Sequence, residues 1–115
     1  MRVSFCFALL FCFLIQSCVK EKPRVLVFSK TTGFRHLSIA SGKAAIQKLG
    51  TENNFDVDTT EDASAFNEAN LLKYSAVVFL NTTGDVLDVY QQNAFKRFIQ
   101  AGGGYVGVHA AADTE

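Results

Sequence analysis

Consecutive apolar residues set the strongest constraint on this fold. The runs Arg24-Val25-Leu26-Val27-Phe28-Ser29, Ala76-Val77-Val78-Phe79-Leu80 and Tyr105-Val106-Gly107-Val108 lack the polar alternation of a strand with one wet face. Strands of this kind are buried on both sides, which requires a parallel sheet with helices on both faces. The segments between the runs fit the crossovers such a sheet needs. Ile39, Gly42, Ile46 and Leu49 recur at helical spacing, with Ser38 as the expected N-cap and Gly50 as the expected stop. Residues 55–59 alternate as a shorter, more exposed strand, and residues 67–73 read as a brief helix. Asp88 with Gln91 three positions on has the form of a capping box, and Ala94, Phe95, Phe98 and Ile99 share one face of the helix it would open. Lys96 and Arg97 fall in the last turn, where cations complement the helix dipole. The tract Gly102-Gly103-Gly104 lies between a helix and a strand, whereas phosphate loops follow a strand and open a helix, so it reads as a helix stop with close packing.

The chain opens differently. Met1-Arg2 supplies one positive charge and residues 3–15 are nearly all apolar, the composition of a signal-peptide core. That run is shorter than the roughly 20 residues a spanning helix needs, and it gives way to Lys20-Glu21-Lys22, which makes permanent spanning the weaker reading. Ile15-Gln16-Ser17-Cys18 resembles the bacterial lipobox, whose cysteine is acylated on sulfur and becomes the first residue after cleavage. The expected organisation is a signal peptide over residues 1–17, a lipidated cysteine and tether over 18–23 ending at Pro23, and a domain from 24 to 115. An ordinary secretory signal with a free cysteine nearby is the alternative.

All three cysteines, Cys6, Cys12 and Cys18, belong to that leader, so residues 19–115 have no disulfide, no thiolate metal ligand and no cysteine nucleophile. Eleven Lys and Arg balance eleven Asp and Glu with no basic block, which argues against nucleic acid as a partner.

Three blocks carry a family resemblance: residues 28–36 (FSKTTGFRH), 79–87 (FLNTTGDVL) and 101–115 (AGGGYVGVHAAADTE). In this order they resemble the ThuA-like, or trehalose utilisation, family, and the likeness runs from Arg24 to the last residue. It implies a fold like that of class I glutamine amidotransferases, a flavodoxin-like open parallel sheet. It also implies a domain about twice as long, of which this chain would be the amino-terminal half, cut after about four strands.

In a flavodoxin-like order, strand one lies between strands two and three, and strand four lies beside strand three; ligands gather at the carboxyl ends. The three blocks are the loops leaving strands one, three and four, so they are expected to meet. His36, His109 and Asp113 are then the candidate catalytic residues, and Thr32, Gly33, Thr83, Gly84, Asp85 and Glu115 the candidate ligand-binding ones. Each also has a plainer role available: His36 as a cap of the first helix, Thr83-Gly84-Asp85 as a turn, Asp113 and Glu115 as solvated charges. His109 stands after an apolar strand and before three alanines, with no evident packing purpose.

The family's amidotransferase relatives carry their nucleophile in the pattern Gly-x-Cys on a sharp turn after a strand. Here Gly107-Val108-His109 occupies that place, so glutaminase chemistry is excluded, and a serine nucleophile is absent too. A divalent metal held by His36, His109 and a carboxylate is a further possibility. The leader and its lipobox-like end imply an exported, membrane-anchored lipoprotein of a bacterial envelope, and the family resemblance implies that it processes a disaccharide or keto-glycoside by acid/base chemistry. The alternative is a non-catalytic, membrane-tethered sugar-binding or interaction module.

Overall fold

The computed structural model describes residues 21–114. The segment expected to be a signal peptide, Cys18, expected to carry the lipid, and Glu115 lie outside the described residues. Four strands, β1 (Arg24–Phe28), β2 (Asp56–Thr60), β3 (Ala76–Leu80) and β4 (Gly104–Val108), form one sheet in the order β2-β1-β3-β4. Every pairing is parallel, with Val25 opposite Val57, Leu26 opposite Val77 and Val78 opposite Val106. Helices α1 (Ile39–Asn53), α2 (Glu68–Leu71) and α3 (Val89–Gln100) make the crossovers, with short 3-10 turns at Ala63–Ala65 and His109–Asp113.

Side chains alternate across each strand and so divide the core into two layers. Leu26, Phe28, Val77 and Phe79 point to one side and pack with Phe66, Leu71, Ala94, Phe95 and Phe98. Phe28 and Phe66 meet edge to face with ring centroids 4.6 Å apart, and Phe79 stacks on Phe95 at 5.3 Å. Val27, Val78 and Leu80 point the other way, toward Ile46 of α1, with Val57 and Val108 beside them. Each fully buried aromatic or branched side chain contributes roughly 1.5–3 kcal/mol by leaving water. Both faces of β1 and β3 are therefore covered, as their apolar runs require, whereas β4, also expected to be buried on both sides, stands at the sheet edge with Tyr105 and Val106 about half exposed. Among the described residues no helix is long and apolar enough to cross a membrane.

The helix ends show what spacing alone could not. Asp88 accepts from Tyr90 N and Gln91 N, both at 2.9 Å, while Gln91 Oε1 accepts from Asp88 N, completing the capping box of α3. Gly50, expected to stop α1, lies inside it; the helix continues to Asn53 and ends on Asn54, whose φ of +57° turns the chain left-handed. Gly50 is needed for closeness instead, because a Cβ there would sit 2.7 Å from Phe55 O and 2.8 Å from Val57 Cγ2. Ser38 stands at the N-cap position of α1 but its side chain caps nothing, since its backbone is already helical. The helix expected over 67–73 is a single turn capped by Asn67, and Leu49 and Ile99, assigned to apolar faces, remain substantially exposed.

Candidate functional site

Because β1, β3 and β4 are adjacent and parallel, the loops leaving them emerge along one edge of the sheet. Two isolated bridges continue the pairing past the strand ends, Thr31 with Thr83 and Gly84 with Thr114. The carbonyl of Thr83 accepts from Thr32 N at 2.9 Å, Gly33 N at 3.4 Å and Thr32 Oγ1 at 3.1 Å, while Thr83 Oγ1 donates to Phe34 O at 2.9 Å. Gly84 N donates to Asp113 O at 2.9 Å, and the Thr82 and Thr114 hydroxyls meet at 2.6 Å. Gly84 has φ of +73° and leaves room for Thr32 Oγ1, which would lie 2.5 Å from a Cβ. This web fixes the three loops as one unit.

On that platform the imidazoles of His36 and His109 lie edge to face, their centroids 4.8 Å apart and their planes at 77°. The ring of Phe34 also lies edge to face with His36, at 4.8 Å. His109 is the first residue after β4 and has φ of +51°, an uncommon left-handed conformation for a residue with a side chain. A strained residue at a strand-to-helix turn is how a nucleophile elbow presents its side chain at the top of a sheet. Here the side chain so presented is an imidazole.

The other sequence candidates divide by role. Thr32, Gly33, Thr83 and Gly84 hold the loops together, and Thr83, 2% exposed, commits its hydroxyl to the protein itself. The Asp85 and Asp113 side chains are exposed, and among the described residues neither carboxylate makes a hydrogen bond or ion pair; Asp113 contributes its backbone carbonyl. Among the described residues no group of three or more His, Cys, Asp or Glu is placed to hold a metal ion. Two imidazoles fall short of the three protein ligands usual at a catalytic zinc, so no metal-dependent step is derived.

Three features escaped the sequence reading. Asn81, directly after β3, is 3% exposed with φ of +52°, and its Nδ2 donates to Ser38 Oγ at 2.8 Å. Among the described residues Asn81 Oδ1 and Ser29 Oγ are buried without a partner, each at a cost of roughly 1–3 kcal/mol. Between α1 and the end of β4 an open cleft of about 410 Å³ includes Ser38, Ser41, Leu80, Asn81 and His109 in its walls. Finally, the Glu61 carboxylate holds Arg35 and Lys43, and with Arg35 the segment that carries His36. The one available signal was Asn81 itself, a residue tolerant of left-handed backbone standing where an apolar strand ends.

Comparison with known proteins agrees with this architecture. The model of the trehalose utilisation family, ThuA, matches residues 24–115. The chain belongs to the ThuA family. A crystal structure from Bacteroides uniformis, described as that of a ThuA-like protein, superposes with a TM-score of 0.66 and 26% identity over 81% of this chain. The match covers 39% of the B. uniformis chain, so the ThuA chain described here spans about two-fifths of that protein's length. No curated protein matches the chain. Within this ThuA chain, the three blocks singled out in the sequence are the three loops that the sheet brings together.

Proposed function

We propose that this chain belongs to an exported, lipid-anchored protein that processes a small carbohydrate, a disaccharide or keto-glycoside, by acid/base chemistry at His36 and His109. The observation that carries the reading is the imidazole pair itself, 4.8 Å apart at the carboxyl edge of a parallel sheet, with His109 held left-handed at the turn. Imidazole exchanges protons near neutral pH, so two rings facing one ligand serve as acceptor and donor for a sugar hydroxyl, glycosidic oxygen or carbon beside a ketone. The turn offers no sulfur or hydroxyl to attack, which favours proton transfer over a covalent intermediate. Asp85 and Asp113 flank the loops as exposed carboxylates able to receive sugar hydroxyls. The leader supports export, and Cys18 supports attachment to a bacterial envelope membrane.

A second reading, a tethered sugar-binding module without turnover, is favoured by the commitment of the Thr32 and Thr83 hydroxyls to the loops rather than to a ligand. Calorimetry of the full-length protein with trehalose, sucrose and their keto derivatives, paired with product analysis, separates the two. Under the catalytic reading, His36→Ala and His109→Ala each lower turnover by about 10²–10⁴-fold, the usual worth of a positioned acid or base. The double variant loses little more than either single one, because residues acting on one ligand are coupled. Binding without turnover would leave the module, and strictly additive losses would remove the shared site.

A further inference from the structure

Asn81 touches both histidine-bearing segments. Its backbone N–H donates to Val108 O at 3.2 Å, one residue before His109, and its side-chain Nδ2 donates to Ser38 Oγ at 2.8 Å, two residues after His36. It is 3% exposed and left-handed, with φ of +52°. Asparagine enters that region more readily than most residues with a side chain. The conformation turns the chain sharply at the end of β3 and brings the amide to the start of α1. The fold tolerates two unfavourable features at this residue, the left-handed backbone and an Oδ1 that is buried without a partner among the described residues. Such features persist where the surroundings enforce them, and they gather at functional sites.

We infer that Asn81 is a positioning residue that sets the His36–His109 separation by holding the start of α1 against the end of β4. Through Val108 it fixes where β4 ends and the His109 turn begins. Through Ser38 it fixes where the loop carrying His36 enters the helix. Its hydrogen bonds go to Ser38 and Val108 and not to either ring, so its effect is on their spacing. The neighbouring web of Thr32, Thr83 and Gly84 ties β1 and β3 loops to each other, but among the described residues Asn81 is the one whose hydrogen bonds reach both segments next to the imidazoles. This inference concerns the ring pair of the proposed site and not its ligand, so it is tested with no sugar present.

The test is the nuclear Overhauser cross-peak between the His36 and His109 ring protons in the full-length protein. A clear cross-peak is expected in the wild type from rings 4.8 Å apart. Asn81→Gly keeps a left-handed backbone without steric cost and keeps the N–H, removing the amide side chain alone. Ser38→Ala removes the partner hydroxyl at an exposed position, so the folded state survives even if Asn81→Gly fails to fold. Each folded variant is expected to lose the cross-peak while the amide spectrum of β1 and β3 stays as in the wild type, a combination that general destabilisation would not give. Persistence of the cross-peak in either folded variant overturns the assignment. Absence from the wild type overturns both this inference and the paired-imidazole site, whereas an intact cross-peak without any sugar turnover counts against the proposed chemistry alone.

Discussion

Glu61 offers a perturbation whose size and pH dependence both follow from the structure. It leaves β2 and accepts from Arg35 Nη1 on Oε2 and Arg35 Nη2 on Oε1, both at 2.9 Å, and from Lys43 Nζ on Oε1 at 2.8 Å. A bidentate guanidinium contact is among the stronger charge-assisted geometries, and here it anchors the residue just before His36. The Arg35 hydrogen bonds, helped by Lys43, hold the Glu61 carboxyl well below its ordinary 4.5, at about 2. The same contact raises the Arg35 guanidinium above its ordinary value, outside any accessible range.

Since the folded carboxyl is the stronger acid, its stabilisation is complete above the unfolded value of 4.5 and is lost as pH falls through about 2. At 1.36 kcal/mol per pH unit the full difference corresponds to about 3.4 kcal/mol. The side chain is 39% exposed, so solvent screening reduces that to about 1 kcal/mol. Glu61→Gln in the full-length protein is expected to lower unfolding free energy by about 1 kcal/mol at pH 7 in urea titrations. The gap from wild type narrows from about pH 5 downward and nearly closes at about pH 2. Equal stabilities at pH 7, or a gap unchanged by acid, would refute the reasoning.

Two further outcomes test the fold and the leader. A glycine-to-alanine change in an exposed helix interior gains about 1 kcal/mol, but Gly50 is buried, and the Cβ that Gly50→Ala places against Phe55 O and Val57 overpacks the α1–β2 contact by roughly 1–3 kcal/mol, so the denaturation midpoint should fall and a rise would show slack there. Cys18→Ala should abolish both labelling by a palmitate analogue and membrane association, and a variant that keeps its label would end the lipoprotein proposal.

The fold was legible because its main determinants are contiguous. Apolar runs on consecutive residues demand burial on two faces, and the order β2-β1-β3-β4 follows from the flavodoxin-like arrangement that the three blocks imply. The capping box of α3 was legible for the same reason, since all its partners lie within four residues. Gly50 was misread because its purpose is set from across the chain. Glycine as a helix stop and glycine as a place of close approach look alike in one dimension, and the contact with Phe55 and Val57 decides between them. Ser38 does stand at the N-cap position, but a side-chain cap needs an extended backbone, and the backbone there is helical, with the hydroxyl accepting from Asn81.

The same distinction explains the candidate site. His109 could be singled out because an imidazole between an apolar strand and three alanines is locally out of place, and His36 because its block leaves a neighbouring strand. The threonines are expected at a ligand because their hydroxyls lie on the converging loops. Once three loops converge, their backbone polar groups also need partners, and short side chains with hydroxyls supply them, as Thr83 does for Phe34 and Thr32 for Thr83. Asn81 was invisible because it acts through Ser38 and Val108, each far from it in sequence and adjacent only when the sheet is assembled. Sequence thus marks the side chains whose chemistry is unusual, while the residues that set their spacing appear only with the contacts. For this reason the Ser38–Asn81 link and the Arg35–Glu61 contact, rather than the loop threonines, are the places where a substitution should move the imidazoles without emptying the core.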